Sequence, residues 1–193
     1  MDHRLVAWGR AVKGRGAGLP PLWLFTDEAR LADPRQAAGR LPRGVCGIVL
    51  RHDGAPGRAA LGRDLARICR VRRLMLAVAG DWRLAAALGA GVHLRGGRRP
   101  AGMPCGMVAL TSSAHGPAEL RRAVRAGVRL AFLSPVFATA SHAGAAGLGP
   151  ARWARIARAV PGVAVGALGG IDGRSARALP WRCRHVGAIA ALA

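Results

Sequence analysis

Eight short apolar runs recur along the chain, separated by longer segments whose apolar residues repeat at helical spacing. The runs are Leu22 to Thr26, Val45 to Leu50, Leu74 to Val78, Gly91 to Leu94, Met107 to Thr111, Leu130 to Ser134, Val163 to Leu168 and His185 to Ala190. Near-continuous apolar runs of this length read as strands buried on both faces, and helices between them make the sheet parallel. Eight such units point to an α/β fold, a (β/α)8 TIM barrel, more than to an open doubly wound sheet. Between the runs, Leu61, Leu65, Ile68 and Cys69 share one helix face, with Arg63, Arg67 and Arg70 on the other. Trp153, Ile156, Ala157 and Val160 repeat the device against Arg152, Arg155 and Arg158, and so does Leu120 with Val124 between Pro117 and Gly127. Asp81 is placed to cap a helix carrying Leu84 and Leu88.

With 193 residues the barrel must be compact, since about 250 is typical of the fold. A composition 51% hydrophobic supports one well-packed domain over residues 1–193. The segment RGGRRPAGMPCG, residues 95–106, is too rich in Gly and Pro for a full helix. The chain stops just past the eighth run, so the last outer helix is expected to be missing, and residues 1–20 form an appended N-terminal arm.

The formal charge of +21 invites a nucleic-acid reading. Lys13 is the single lysine among 30 basic residues, however, and Tyr and Asn are absent, which is what coding from a GC-rich genome produces whatever the function. The arginines repeat on several outer helix faces, and 4% aromatic residues leave little for base stacking. Nucleic-acid binding driven by charge is therefore kept only as a remote alternative, and no specific nucleic-acid partner is expected. No stretch of 18 apolar residues occurs, and charge and glycine interrupt the first twenty residues, so a cytoplasmic protein with no membrane partner is expected. Cys46, Cys69, Cys105 and Cys183 are widely spaced without a Cys-x-x-Cys pair, which reads as buried thiols in a reducing compartment.

In such a barrel the chemistry sits where strands end. Arg51 and His52 follow the second run, His93 lies near the end of the fourth, Ser113 and His115 follow the fifth, and Thr139, Ser141 and His142 lie in the loop after the sixth. Gly169-Gly170 ends the seventh, where this fold commonly holds phosphate. A histidine taken singly is as well explained by core packing or exposure, and a Gly-Gly pair by a turn. Together these residues suggest a phosphorylated small molecule, with Arg51 as a fixed cation for it.

The ordered set LWLFTDE, GIVLRHD, LGAGVHL, SSAH, LSPVFATASH, GLG and ALGGI resembles the thiamine phosphate synthase and TenI family from about Leu22 onward. The resemblance implies a (β/α)8 barrel that joins a pyrimidine diphosphate to a thiazole phosphate, with Mg²⁺ and loss of pyrophosphate through a dissociative step. It implies that Arg51 contacts diphosphate, that Thr139 and Ser141 supply hydroxyls, and that Gly169 and Gly170 cradle the thiazole phosphate. Ser113, His115 and His93 match the family's serine and histidines, with Arg51, Ser113 and His115 as the catalytic candidates. Departures from the pattern are explicit. Asp53 and His142 stand where the family has lysines, Ala79-Gly80-Asp81 replaces an Asn-Asp pair, and Arg95-Gly96-Gly97-Arg98 replaces a Gly-Gln and a following aspartate. Asp81 is then the sole candidate metal ligand. Pro135 stands where the tautomerase branch carries a histidine, which favours the synthase side. The expected partners are small phosphorylated heterocycles, with a homodimer as an option for assembly. The first alternative keeps the fold and binds a thiazole or pyrimidine phosphate without condensing the two.

Overall fold

Eight parallel strands close into a barrel in chain order: β1 Leu22–Phe25, β2 Cys46–Leu50, β3 Met75–Ala79, β4 Gly91–Leu94, β5 Ala109–Ala114, β6 Leu130–Leu133, β7 Ala164–Leu168 and β8 Val186–Ala188. The computed structural model describes residues 1–13, 18–31, 33–139 and 146–193. β8 returns to pair with β1, Leu22 beside Val186, so no edge is left open. Around the barrel run α2 Pro34–Arg40, α3 Arg58–Arg72, α4 Trp82–Leu88, α5 Pro117–Arg125 and α6 Gly149–Arg158. Their inward faces are those the spacing predicts: Leu65 and Cys69 on α3, Leu120 on α5 and Trp153 on α6 are buried, and the alternating arginines are exposed. Asp81 caps α4 by accepting from the Leu84 amide at 2.9 Å.

The expected gaps in the outer ring are present among the described residues. No helix lies between β4 and β5, and single 3-10 turns at Ser175–Ala178 and Ala190–Leu192 follow β7 and β8. One strand is displaced from expectation: β5 begins at Ala109 rather than Met107 and carries Ser112 and Ser113 within it. Its polar residues fit a strand because their hydroxyls are engaged, Ser112 Oγ accepting from the Gly97 amide at 3.0 Å. The apolar run misleads at its start, where Val108 is exposed.

The barrel interior is filled by side chains, chiefly Trp23, Phe25 and Phe132, with Val49, Ala77, Leu110 and Leu130. Phe132 meets Phe25 edge-on with centroids 4.9 Å apart and Trp23 at 6.0 Å. Space for three large rings comes from glycines opposite them. A Cβ at Gly47 would lie 2.6 Å from the Trp23 ring, one at Gly187 2.6 Å from Phe25, and one at Gly166 2.9 Å from Phe132. A second apolar layer, with Leu22, Leu24, Ile48 and Leu50, packs between strands and helices.

The N-terminal arm is a wall element. Its helix, α1 His3–Val12, is capped by Asp2, which accepts from the Arg4 and Leu5 amides, and it buries Leu5, Val6 and Gly9. Asp2 donates its own amide to Ala191 O at 2.7 Å and accepts from the Gly173 amide at 2.6 Å, beyond β8 and β7 respectively. Gly9 packs on Leu22, so close that a Cβ would fall 2.6 Å from its Cγ. α1 thus covers the outer face of β1, the seam that a helix following β8 would otherwise cover.

The Gly173 hydrogen bond, aided by those of Leu5 and Arg4, holds the Asp2 carboxyl below the usual carboxylate range. A carboxyl depressed by folding contributes stability above its unfolded value that is lost as pH falls through the folded one. Asp2→Ala is expected to cost about 1 kcal/mol at neutral pH, as loss of a cap does. Below the carboxylate range the variant and the parent should converge, which urea titrations at neutral and acid pH will check.

Candidate functional site

At the C-terminal end of the strands a cavity of about 1070 Å³ opens. Arg51, His93, Ser113, His115, Thr139, Gly169 and Gly170, drawn from five strands or their loops, all line it. Asp81 does not line it, and Ser141 and His142 lie outside the described residues.

One wall is cationic. Arg51 follows β2, and its amide donates to the buried Thr26 hydroxyl at 2.9 Å, which ties the β2 end to β1. Arg95 and Arg98 come from the loop after β4, where Gly96 and Gly97 turn the chain back in an Arg95–Arg98 bridge. Gly97 has φ +72°, and a Cβ there would meet the Ala123 amide at 2.4 Å, so α5 admits this loop only as glycine. The carboxylates on the same wall are matched with arginines. Arg95 binds Asp53 Oδ2, Arg58 binds Asp53 Oδ1 at 3.2 Å, and Arg58 also faces Asp81 Oδ2 at 3.6 Å. Arg58 further donates to Ala79 O at 2.6 Å. Asp27, beyond β1, is held below the usual carboxylate range by the Arg30 guanidinium at 2.8 Å, with a contribution from Arg51.

The floor carries His93. Its ring is buried edge-on to Phe25 at 5.6 Å, and Nδ1 is 2.8 Å from the Thr111 hydroxyl. Burial, reinforced by Arg51 and Arg95, pushes its pKa down to about 3, so the imidazole stays neutral at physiological pH. His115 stands just past β5. Its Nδ1 lies 3.1 Å from Ser134 O, and because a carbonyl only accepts, Nδ1 carries the proton. Ser113 Oγ accepts from the Gly96 amide at 3.4 Å and so fastens the arginine-bearing loop to β5.

The opposite wall is backbone. Gly169 has φ +96° and Gly170 φ +65°; a Cβ on Gly170 would lie 2.6 Å from Ala138 O. Phe137 donates to Gly169 O at 3.1 Å and Ser175 Oγ to Gly170 O at 3.0 Å, which fixes the turn beside Thr139. The arginine wall on β2 and β4 and this turn on β7 stand at least three strands apart in either direction around the ring. Two anionic groups of one ligand pair can therefore be held at once.

Asp27, Arg30, Arg58 and Ser134 were not singled out by sequence reasoning. Asp27 carries the one usable signal, a carboxylate directly after a strand-like run; Arg58 is hidden among the many arginines of the helices. His52 is placed differently from the other strand-end histidines. It is buried behind Thr26, with Nδ1 2.9 Å from that hydroxyl, and does not line the cavity. The thiols of Cys46, Cys69 and Cys183 are pushed up to about 12 by burial, and Cys105 is exposed. No helix among the described residues is long and apolar enough to cross a membrane.

A family model described as thiamine monophosphate synthase matches residues 22–191. Among solved structures the chain is similar to a thiamine phosphate pyrophosphorylase from Pyrococcus furiosus, at 23% identity and a TM-score of 0.69, over 88% of this chain and 85% of that one. It is also similar to a thiamine phosphate pyrophosphorylase from Bacteroides thetaiotaomicron, at 14% identity and a TM-score of 0.51, over 89% and 83% of the two chains. The YdjI aldolase from Escherichia coli K12 aligns at 10% identity with a TM-score of 0.50, over 97% and 81%. At these identities the structural likeness establishes the barrel alone. No curated protein matches the chain.

Proposed function

The chain belongs to the thiamine monophosphate synthase family, and on that premise we propose that it condenses a hydroxymethylpyrimidine diphosphate with a thiazole phosphate. The carbon–oxygen bond to diphosphate breaks first, diphosphate leaving with the bonding pair, and the thiazole nitrogen then bonds to the pyrimidine methylene cation. The observation that carries this reading is one cavity with an arginine wall on β2 and β4 and a glycine turn on β7. The first suits a diphosphate and the second a phosphate monoester.

Departure of diphosphate needs positive charge and donors aimed at the leaving group rather than a strong base. Arg51 supplies the charge, its backbone anchored on Thr26. His93 stays neutral and adds no proton, while its ring closes the floor under the heterocycles. His115 is oriented at the mouth by the contact of its Nδ1 with Ser134 O. Gly169 and Gly170 leave room for a phosphate to reach the backbone.

The resemblance implies Mg²⁺, a hard ion that takes oxygen ligands in near-octahedral geometry. Asp81 gives one oxygen to the α4 cap and turns the other to Arg58, and Asp53 is bound by Arg58 and Arg95. No group of three His, Cys, Asp or Glu among the described residues could hold a metal. The donor set does not fit the ion.

The test is a coupling assay with both substrates, with and without Mg²⁺, following thiamine phosphate by fluorescence after oxidation. Product is expected. Arg51→Ala should weaken diphosphate binding tenfold or more by calorimetry, and unchanged affinity would remove Arg51 from this role. The commitment of Asp53 and Asp81 to arginines favours a second reading, a barrel that binds these phosphates without joining them. Saturable binding with no product would select it.

A further inference from the structure

We infer that the cavity binds an organic diphosphate without a divalent cation, with Arg95, steered by the Asp53–Arg58–Asp81 ion-pair chain, supplying the charge a metal would otherwise bring. The inference rests on the proposed ligands of the site and concerns how their charge is neutralised.

Three observations converge on it. The carboxylates facing β3 and β4 are already neutralised: Asp53 by two arginines, Asp81 by Arg58 and by its helix cap. Arg58 is the hinge of the chain, its side chain 15% exposed, its head group shared among Asp53, Asp81 and Ala79 O. A dication entering here would displace guanidinium groups and share the space with positive charge, so each oxygen it gained would cost an ion pair.

The second observation is the placement of unspent charge. Arg51 and Arg98 line the cavity, and among the described residues neither guanidinium makes a hydrogen bond or an ion pair. Arg95 lines the same cavity with its side chain 61% exposed, held through one nitrogen by Asp53. A guanidinium presents five donors in a planar fork, so a group held at one nitrogen keeps others for phosphate oxygens. The third is rigidity. The loop that carries Arg95 and Arg98 is fixed by Ser112, Ser113 and the Arg122 Nε bond to Gly96 O at 2.9 Å, with Gly97 pressed on α5. The cations are therefore set in place before a ligand arrives, which lowers the ordering cost of binding.

Calorimetric titration with inorganic diphosphate, in excess EDTA and in Mg²⁺, tests this directly. Saturable binding in EDTA is expected, with an affinity within about threefold of that measured with the ion once ion pairing of the titrant is corrected. Arg95→Ala should weaken the EDTA value tenfold or more. Asp53→Asn should leave it unchanged or tighten it, because the carboxylate that competes for Arg95 is removed; a metal ligand at that position would instead give a loss confined to the Mg²⁺ titration. Binding seen only with Mg²⁺, or an Arg95→Ala variant as tight as the parent, would overturn the inference. Failure of the condensation with metal-free binding intact would count against the proposed reaction alone. Condensation that proceeds while diphosphate binding requires Mg²⁺ would count against this inference alone.

Discussion

Phe132→Ala should destabilise the protein by about 3–5 kcal/mol, the range for removing a buried aromatic ring, and lower Tm by roughly 10 °C for a chain of this size. The cost arises because the hole cannot close. Phe132 is fully buried between Phe25 and Trp23, and the strands that carry these rings are held by ladders on both sides. Collapse would require a ladder to break. The same geometry provides an internal control. Gly166→Ala alone places a methyl 2.9 Å from the Phe132 ring and should destabilise, whereas in the Phe132→Ala background that methyl enters vacated space, so the second substitution should cost less than it does alone. Urea denaturation of the four-member cycle measures both effects. A loss under about 1 kcal/mol for Phe132→Ala would mean that the interior repacks, contrary to this account.

Gly170→Ala should abolish phosphate binding while leaving the barrel folded. At φ +65° a Cβ costs about 1–2 kcal/mol of backbone strain. It would also stand 2.6 Å from Ala138 O and 2.7 Å from Phe137 Cβ, so the turn and the loop carrying Thr139 must part. That movement opens the backbone cradle. Titration with the thiazole phosphate should show an affinity at least a hundredfold lower, with a Tm within a few degrees of the parent. The same titration on Arg51→Ala should show a much smaller change, since Arg51 stands on the opposite wall. An alanine variant that binds normally would move the phosphate site away from the β7 turn.

The strands were legible because a strand buried on both faces writes a short apolar run, and such runs place all eight strands to within a few residues. β5 shows the limit: Ser112 and Ser113 look like loop residues until their hydroxyls are seen to serve the Gly96 and Gly97 amides from a neighbouring turn. The site was partly legible for the same reason, since residues just beyond strand ends converge on one mouth. His52 shows why strand-end position is insufficient. It is adjacent to Arg51, and successive residues leave an extended chain on opposite sides, so Arg51 faces the cavity and His52 the Thr26 hydroxyl. The Arg58 hinge was not legible. One arginine among many carries no local mark, and its meaning comes from Asp53, Asp81 and Ala79 meeting in space. The arm was likewise opaque, since nothing within His3–Val12 records that its cap partner is Gly173, 171 positions away.

That last contact ties the order of synthesis to the closure of the ring. The bonds of Asp2 to Gly173 and Ala191 join nearly the largest sequence separation the chain contains. Contacts this non-local carry the greatest loop-closure entropy and raise the contact order on which folding rate depends. α1 is therefore a helix that must wait for residues as distant as Gly173 and Ala191 before it can dock. Until then Leu5, Val6 and the outer face of β1 lack their partners, so the nascent protein carries an exposed apolar stripe that the contacts of Asp2 with Gly173 and Ala191 help to close.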